Sequence, residues 1–294
     1  MAHHWLSGGI ALVLALVPLF AFGFAGEFCR RWANSLPLAA RLSVPALLVI
    51  PYLAAAAASH TVAAQWTAVY LLAPVAIAAL LNAAARLDLK QRGHLLDFLV
   101  LIPLGLAVDL RWLEPAWPPG LAVVGKLILL DAGLYGFLAI RQLTGVGFDL
   151  HLRWRDWRVG LREFLLFAPI AIALGLGIGF LHAHRHLSRP AWQLVLAWIF
   201  TFIAVALSEE IYFRGWMQNL LERRIGRTAA LLVTACLFGL SHFNKHAAHF
   251  NGRYVLLAAI AGVFYGRAWR ADNRIGASAI THATVDTLWG ALLR

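Results

Sequence analysis

The sequence predicts an all-α protein, a polytopic membrane helix bundle of about eight to ten transmembrane helices. Three observations carry that prediction. Of the 294 residues, 61% are hydrophobic and 13% charged, whereas soluble domains carry about 25% charged and about 45–50% apolar residues. The apolar residues fall in blocks of roughly 18–22, long enough to cross a hydrocarbon core about 30 Å thick. The basic residues gather in alternate connections, as the positive-inside bias requires. This composition excludes a soluble globular domain, a disordered chain and a secreted disulfide scaffold. Two cysteines, Cys29 and Cys236, make neither a disulfide framework nor a four-cysteine metal site. The net charge of +11 belongs to cytoplasmic loops, and no nucleic acid is needed to explain it.

Apolar blocks between charged or Pro/Gly-rich breaks lie near 8–26, 42–60, 65–85, 95–110, 121–141, 161–181, 191–222, 228–246, 253–270 and 276–293. No Lys or Arg precedes the first block, and a cleaved signal peptide opens with positive charge, so 8–26 is expected to be a retained span. The second contains Ala54–Ala58, small residues suited to close helix packing. The fourth is short. The fifth holds Lys126 and Asp131, five apart and poorly placed to pair. They anchor helices or line a substrate path. Pro190 opens the seventh block, with Ser188 upstream as its cap.

With the N-terminus outside, eighteen of the 25 Lys and Arg fall on the inner side, leaving Arg111, Lys126, Arg185, Arg189, Lys245, Arg253 and Arg294 outside. Most tryptophans, among them Trp5, Trp32, Trp66, Trp112, Trp117, Trp216 and Trp269, sit near span ends like an aromatic belt. Before the sixth block, Leu150, Trp154, Trp157, Leu161 and Phe164 recur at steps of three and four, with Arg153, Arg155, Arg158 and Arg162 between them. That pattern fits a basic interfacial helix or an ordinary loop with anchoring tryptophans. The expected organisation is N-terminal spans over 1–147, an interfacial segment over 148–164, and a C-terminal domain over 165–294.

Ionisable side chains near a span centre cost roughly 2.5–3.5 kcal/mol each on insertion scales. The seventh span nevertheless reads Ser208-Glu209-Glu210-Ile211-Tyr212-Phe213-Arg214. Glu210 and Arg214 are four apart and can pair along one helix face. Glu209, turned about 100° away, has no partner in its own helix. The eighth span adds Phe238 and His242, and the tenth adds His282 and Asp286, again on one face. Counting from the basic turn at 223–227, all three clusters can meet in the inner leaflet at 1.5 Å per residue.

Glu-Glu-x-x-x-Arg, Phe-x-x-x-His and His-x-x-x-Asp, on successive membrane helices in that order, resemble the CPBP family of CAAX proteases and bacteriocin-processing enzymes. These are glutamic intramembrane endopeptidases related to the Ras-converting CAAX endopeptidase. The resemblance covers about residues 190–293. It implies that Glu209 and His242 activate a water as general base and partner, while His282 with Asp286 stabilises the oxyanion. Glu210, Arg214 and Phe238 are then supporting residues. The family commonly has Asn where this chain has Asp286, which either acts as a protonated donor or orients His282. The resemblance further implies a membrane-anchored or lipidated peptide substrate, cleaved near the cytoplasmic leaflet of a bacterial inner membrane, with no cofactor.

Two other readings stay open. His242, His246 and His249 with Glu209 could form the zinc site of a membrane metalloprotease, although His-Glu-x-x-His is absent. The run His182, His184, His186 reads as a solvated turn. Alternatively, the polar clusters serve a transporter or a partner-binding scaffold without catalysis. The substrate's identity and the oligomeric state are not legible.

Overall fold

The computed structural model describes residues 2–182, 190–245 and 249–292, with side chains from residue 7 onward. Ser188 and His246, and with them the expected cap and the central ligand of the zinc reading, lie outside the described residues. Among those described the chain is helical, without a strand. The helices are α1 (Ala2–Ser35), α2 (Leu38–Ala58), α3 (Ala64–Leu87), α4 (Leu95–Asp109), α5 (Ala122–Ile140), α6 (Trp154–Gly177), α7 (Ala191–Ile225), α8 (Arg227–Leu240), α9 (Gly252–Asp272) and α10 (Ile275–Leu292).

Every expected block is occupied by helix. Six helices, α1 from Ser7, α2, α3, α5, α6 and α7, are long and apolar enough to cross a bilayer. α4 and α8, at 15 and 14 residues, are shorter than the roughly 20 residues a span needs. The eighth block is shorter than expected, because α8 stops at Leu240 and residues 241–245 form turns. Residues 148–153 are not helical, and the arginine- and tryptophan-rich stretch from Trp154 is the opening of α6 itself.

The chain divides into two compact units, Met1–Thr144 and Gly145–Arg294. In the first, Tyr52 stacks on Tyr70 with centroids 5.0 Å apart, and Trp117 Nε1 donates to the Tyr70 hydroxyl at 2.6 Å. Arg141, at the end of α5, is 2% exposed and held by Asp97 at 2.8 Å and Asp88 at 2.7 Å. Burial opposes the ionisation of Asp88, but the N–H groups of Arg92 and Gly93 and the Arg141 guanidinium outweigh it, holding the carboxyl below its ordinary pKa. Lys126 lies 3.9 Å from Glu114, leaving Asp131 buried with neither oxygen hydrogen-bonded among the described residues.

In the second unit, α9 and α10 pack on each other, on α6 and on α7, and α8 packs on α9 and on the C-terminal part of α7. Gly226, at φ +81, makes the turn between α7 and α8. At Gly239 a Cβ would lie 2.5 Å from the Val255 carbonyl oxygen, so glycine there lets α8 and α9 touch through their backbones. The start of α10 is fixed by Arg274, which bonds Asp156 at 2.8 Å, Asp149 at 2.9 Å and the His151 carbonyl at 2.9 Å. The Trp198 indole on α7 donates to Thr284 on α10 at 3.1 Å. The first set ties α10 to the start of α6, and the last ties it to α7.

Candidate active site

α7 is regular only in part. π-helical segments, Phe202–Ala206 and Ile211–Gln218, flank the short α-helical stretch Leu207–Glu210. Such widened turns recur at functional sites, and here they bracket the two glutamates.

Glu210 pairs with Arg214 as its spacing predicted, Nε to Oε2 at 3.1 Å, both side chains fully buried. The Arg214 guanidinium also donates from Nη2 to the Gly262 carbonyl at 3.0 Å. It lies 4.6 Å over the Phe238 ring and 5.4 Å from the Tyr265 ring. Carboxylate, carbonyl and two aromatic faces stand in for part of the water that a buried cation gives up, while Nε and Nη1 have no hydrogen-bond acceptor among the described residues.

Glu210 does more than pair. Its Oε1 accepts from Nδ1 of His282 at 2.8 Å, and Oε2 accepts from the Ser278 hydroxyl. Nδ1 of His282 therefore carries a proton, and Nε2 is turned to Asp286 Oδ2 at 3.5 Å and Glu209 Oε2 at 3.9 Å. Three carboxylates surround this one ring. Tyr265 stacks on it at 4.6 Å and 18°, and Phe238 meets it edge-on at 5.6 Å, so the imidazole has little freedom to turn.

Nδ1 of His242 faces the Phe238 carbonyl at 2.8 Å. A carbonyl only accepts, so the proton sits on Nδ1 and Nε2 of the neutral ring is left as the acceptor. The ring packs against Phe238 at 4.9 Å and Tyr254 at 4.8 Å. Glu209 divides its oxygens. Oε1 lies 3.6 Å from the Lys245 ammonium, while Oε2 is buried and finds no hydrogen-bond donor among the described residues.

The predicted residues Glu209, Glu210, Arg214, Phe238, His242, His282 and Asp286 thus converge on one cluster. Sequence reasoning missed Ser278, Tyr265, Tyr254 and Lys245. Ser278 was findable, since it precedes His282 by one helical turn. Tyr265 and Tyr254 sit on α9, which carries no motif, and Lys245 follows the end of α8, where no helical register applies.

Beside the cluster lies a cavity of about 150 Å³. His242, His282 and Asp286 form its polar edge, and Phe167, Phe180, Leu257, Trp289 and other apolar groups form its wall. Glu209 is not among the residues that line it. Among the described residues no set of three His, Cys, Asp or Glu side chains is arranged to hold a metal ion.

Residues 190–288, a third of the chain, match the family model described as Rce1-like, type II CAAX prenyl endopeptidase Rce1-like. No curated protein and no solved structure matches the chain.

Proposed function

We propose, from the match of residues 190–288 to the Rce1-like family model, that the chain is a glutamic intramembrane endopeptidase that needs no metal. The observation that carries this is Glu209 Oε2, a buried carboxylate oxygen without a hydrogen-bond donor among the described residues, 3.9 Å from one catalytic imidazole. A buried acceptor left unpaired costs about 1–3 kcal/mol. A water bridging it to Nε2 of His242 removes that cost and is positioned as a nucleophile.

In the proposed reaction Glu209 takes a proton from this water as its oxygen bonds to the scissile carbonyl carbon. The carbonyl oxygen becomes the oxyanion beside His282. The C–N bond then breaks, and Glu209 returns the proton to the leaving amine. Glu210 holds His282 through Nδ1, so orientation is shared between Glu210 and Asp286. With Nδ1 already taken and Asp286 on the Nε2 side, the geometry favours Asp286 as an aligning acceptor over a second oxyanion donor.

The substrate we propose is a membrane-anchored or lipidated peptide held near the cytoplasmic leaflet. His282 lies seven residues into α10, about 10 Å from the arginine-rich end of that helix. The cavity continues past it to Trp289 and Leu292, deeper into the bilayer. An apolar tail would point that way when the peptide sits at the surface. A cavity of 150 Å³ accommodates roughly one benzene-sized group, the end of a tail or one side chain.

Glu209→Gln and His242→Ala are expected to abolish cleavage while leaving expression and membrane insertion unchanged. Proteomics of membranes from cells carrying either variant should then reveal an uncleaved precursor absent from wild type. Retained processing in either variant rejects the mechanism, and loss of activity on chelation of the purified protein rejects its metal-free form.

A further inference from the structure

The loop after α8 places a cation where the proposed chemistry needs one. Lys245 closes the turn that begins at His242, its N–H donating to the His242 carbonyl at 3.2 Å. Asn251 pins the same turn, donating from Nδ2 to the Lys245 carbonyl at 3.1 Å and from its backbone to Phe243 at 2.8 Å. Asn251 Oδ1 also caps α9 by accepting from Tyr254 N at 3.2 Å. The turn is therefore tied to the two helices that carry His242 and Tyr254. The Lys245 side chain is 37% exposed and its ammonium ends 3.6 Å from Glu209 Oε1.

We propose that Lys245 is a positioning residue that holds Glu209 as the carboxylate and turns Oε2, not Oε1, towards the imidazoles. The inference rests on Glu209 being the base. The other charged or titratable groups around Glu209 are Glu210 and Arg214 on α7, His242 at the end of α8, His282 and Asp286 on α10, and Tyr265 on α9. Arg214 is committed to Glu210 and His282 is shared among three carboxylates. Lys245 is the cation whose ion pair, among the described residues, is with Glu209.

An opposite charge at this range moves a carboxylate's titration by about one to two pH units. Two readouts on the full-length protein in nanodiscs test the proposal. In infrared titration, the protonated-carboxyl band that disappears in Glu209→Gln should emerge about one to two pH units higher in Lys245→Met and near the wild-type pH in Lys245→Arg. With a farnesylated cysteine peptide carrying three further apolar residues as probe, the acid limb of the pH–rate profile should move up by the same amount in Lys245→Met. Lys245→Arg should restore it. An unchanged infrared midpoint in Lys245→Met overturns the proposal whether or not the probe is cleaved. A shifted midpoint in a protein whose cleavage survives Glu209→Gln keeps the charge assignment and overturns Glu209 as base.

Discussion

At the scale of single residues, two buried acids of this chain have opposite fates. Glu210 is satisfied on both oxygens, by Arg214, His282 and Ser278, so removing it leaves a buried cation and a loose imidazole. Asp131 on α5 has no hydrogen-bond partner among the described residues, and Lys126, five residues away, lies against Glu114 instead. A buried polar group left without a hydrogen bond costs about 1–3 kcal/mol. Asp131→Val is therefore expected to raise the midpoint of thermal unfolding in detergent. A lowered midpoint would mean that this carboxyl has a partner contributing to the fold. If stability rises while activity falls, the acid is retained for function at the expense of stability.

At the scale of elements, the site depends on how closely α8 approaches α9. Phe238 is carried by α8 and His242 by the turn that follows it, and Tyr254 and Tyr265 by α9. The two helices meet at Gly239, where a Cβ would come within 2.5 Å of a backbone oxygen that has nowhere to move. Gly239→Ala should push the helices apart, cost about 1–3 kcal/mol of stability as overpacked sites do, and reduce cleavage by displacing His242. Gly9→Ala on α1, where nothing lies within 4 Å of the new methyl, is the matched control and should leave both properties unchanged. Equal behaviour of the two variants would show that backbone contact between α8 and α9 is not what sets the imidazole.

At the scale of the second unit, charge is sorted between the two ends. Arg153, Arg155, Arg158, Arg162, Arg223, Arg224, Arg227, Arg267, Arg270 and Arg274 all belong to the end where α6 and α10 begin and α7 and α9 finish. Several are tethered there by acids, as Arg155 is by Asp272 at 2.6 Å and Arg267 by Glu163 at 3.0 Å. The positive-inside bias predicts that this end is cytoplasmic, with the far wall of the cavity towards the bilayer interior. In a Cys29→Ser, Cys236→Ser background, an impermeant maleimide applied to intact cells should label a variant with cysteine at His182, exposed beyond the far end of α6, and spare an Arg224→Cys variant. The reverse pattern would invert the topology and move the proposed cleavage to the opposite leaflet.

Composition and block length were enough to announce a membrane bundle, because hydrocarbon tolerates only long apolar helices with their backbone bonds satisfied internally. Helical spacing alone paired Glu210 with Arg214, since an i,i+4 relation is local and needs no knowledge of the fold. The three motifs likewise marked out the residues of the cluster on patterned helices apart from Ser278. What periodicity could not reveal is who faces whom across helices. That Glu210 also grips His282, that Lys245 reaches Glu209 from a turn, and that two tyrosines of a motif-free helix wall in the imidazoles all follow from packing. Close approach at Gly239 and the tethering of α10 by Arg274 bring together groups tens of residues apart, and distance along the chain carries no information about such meetings.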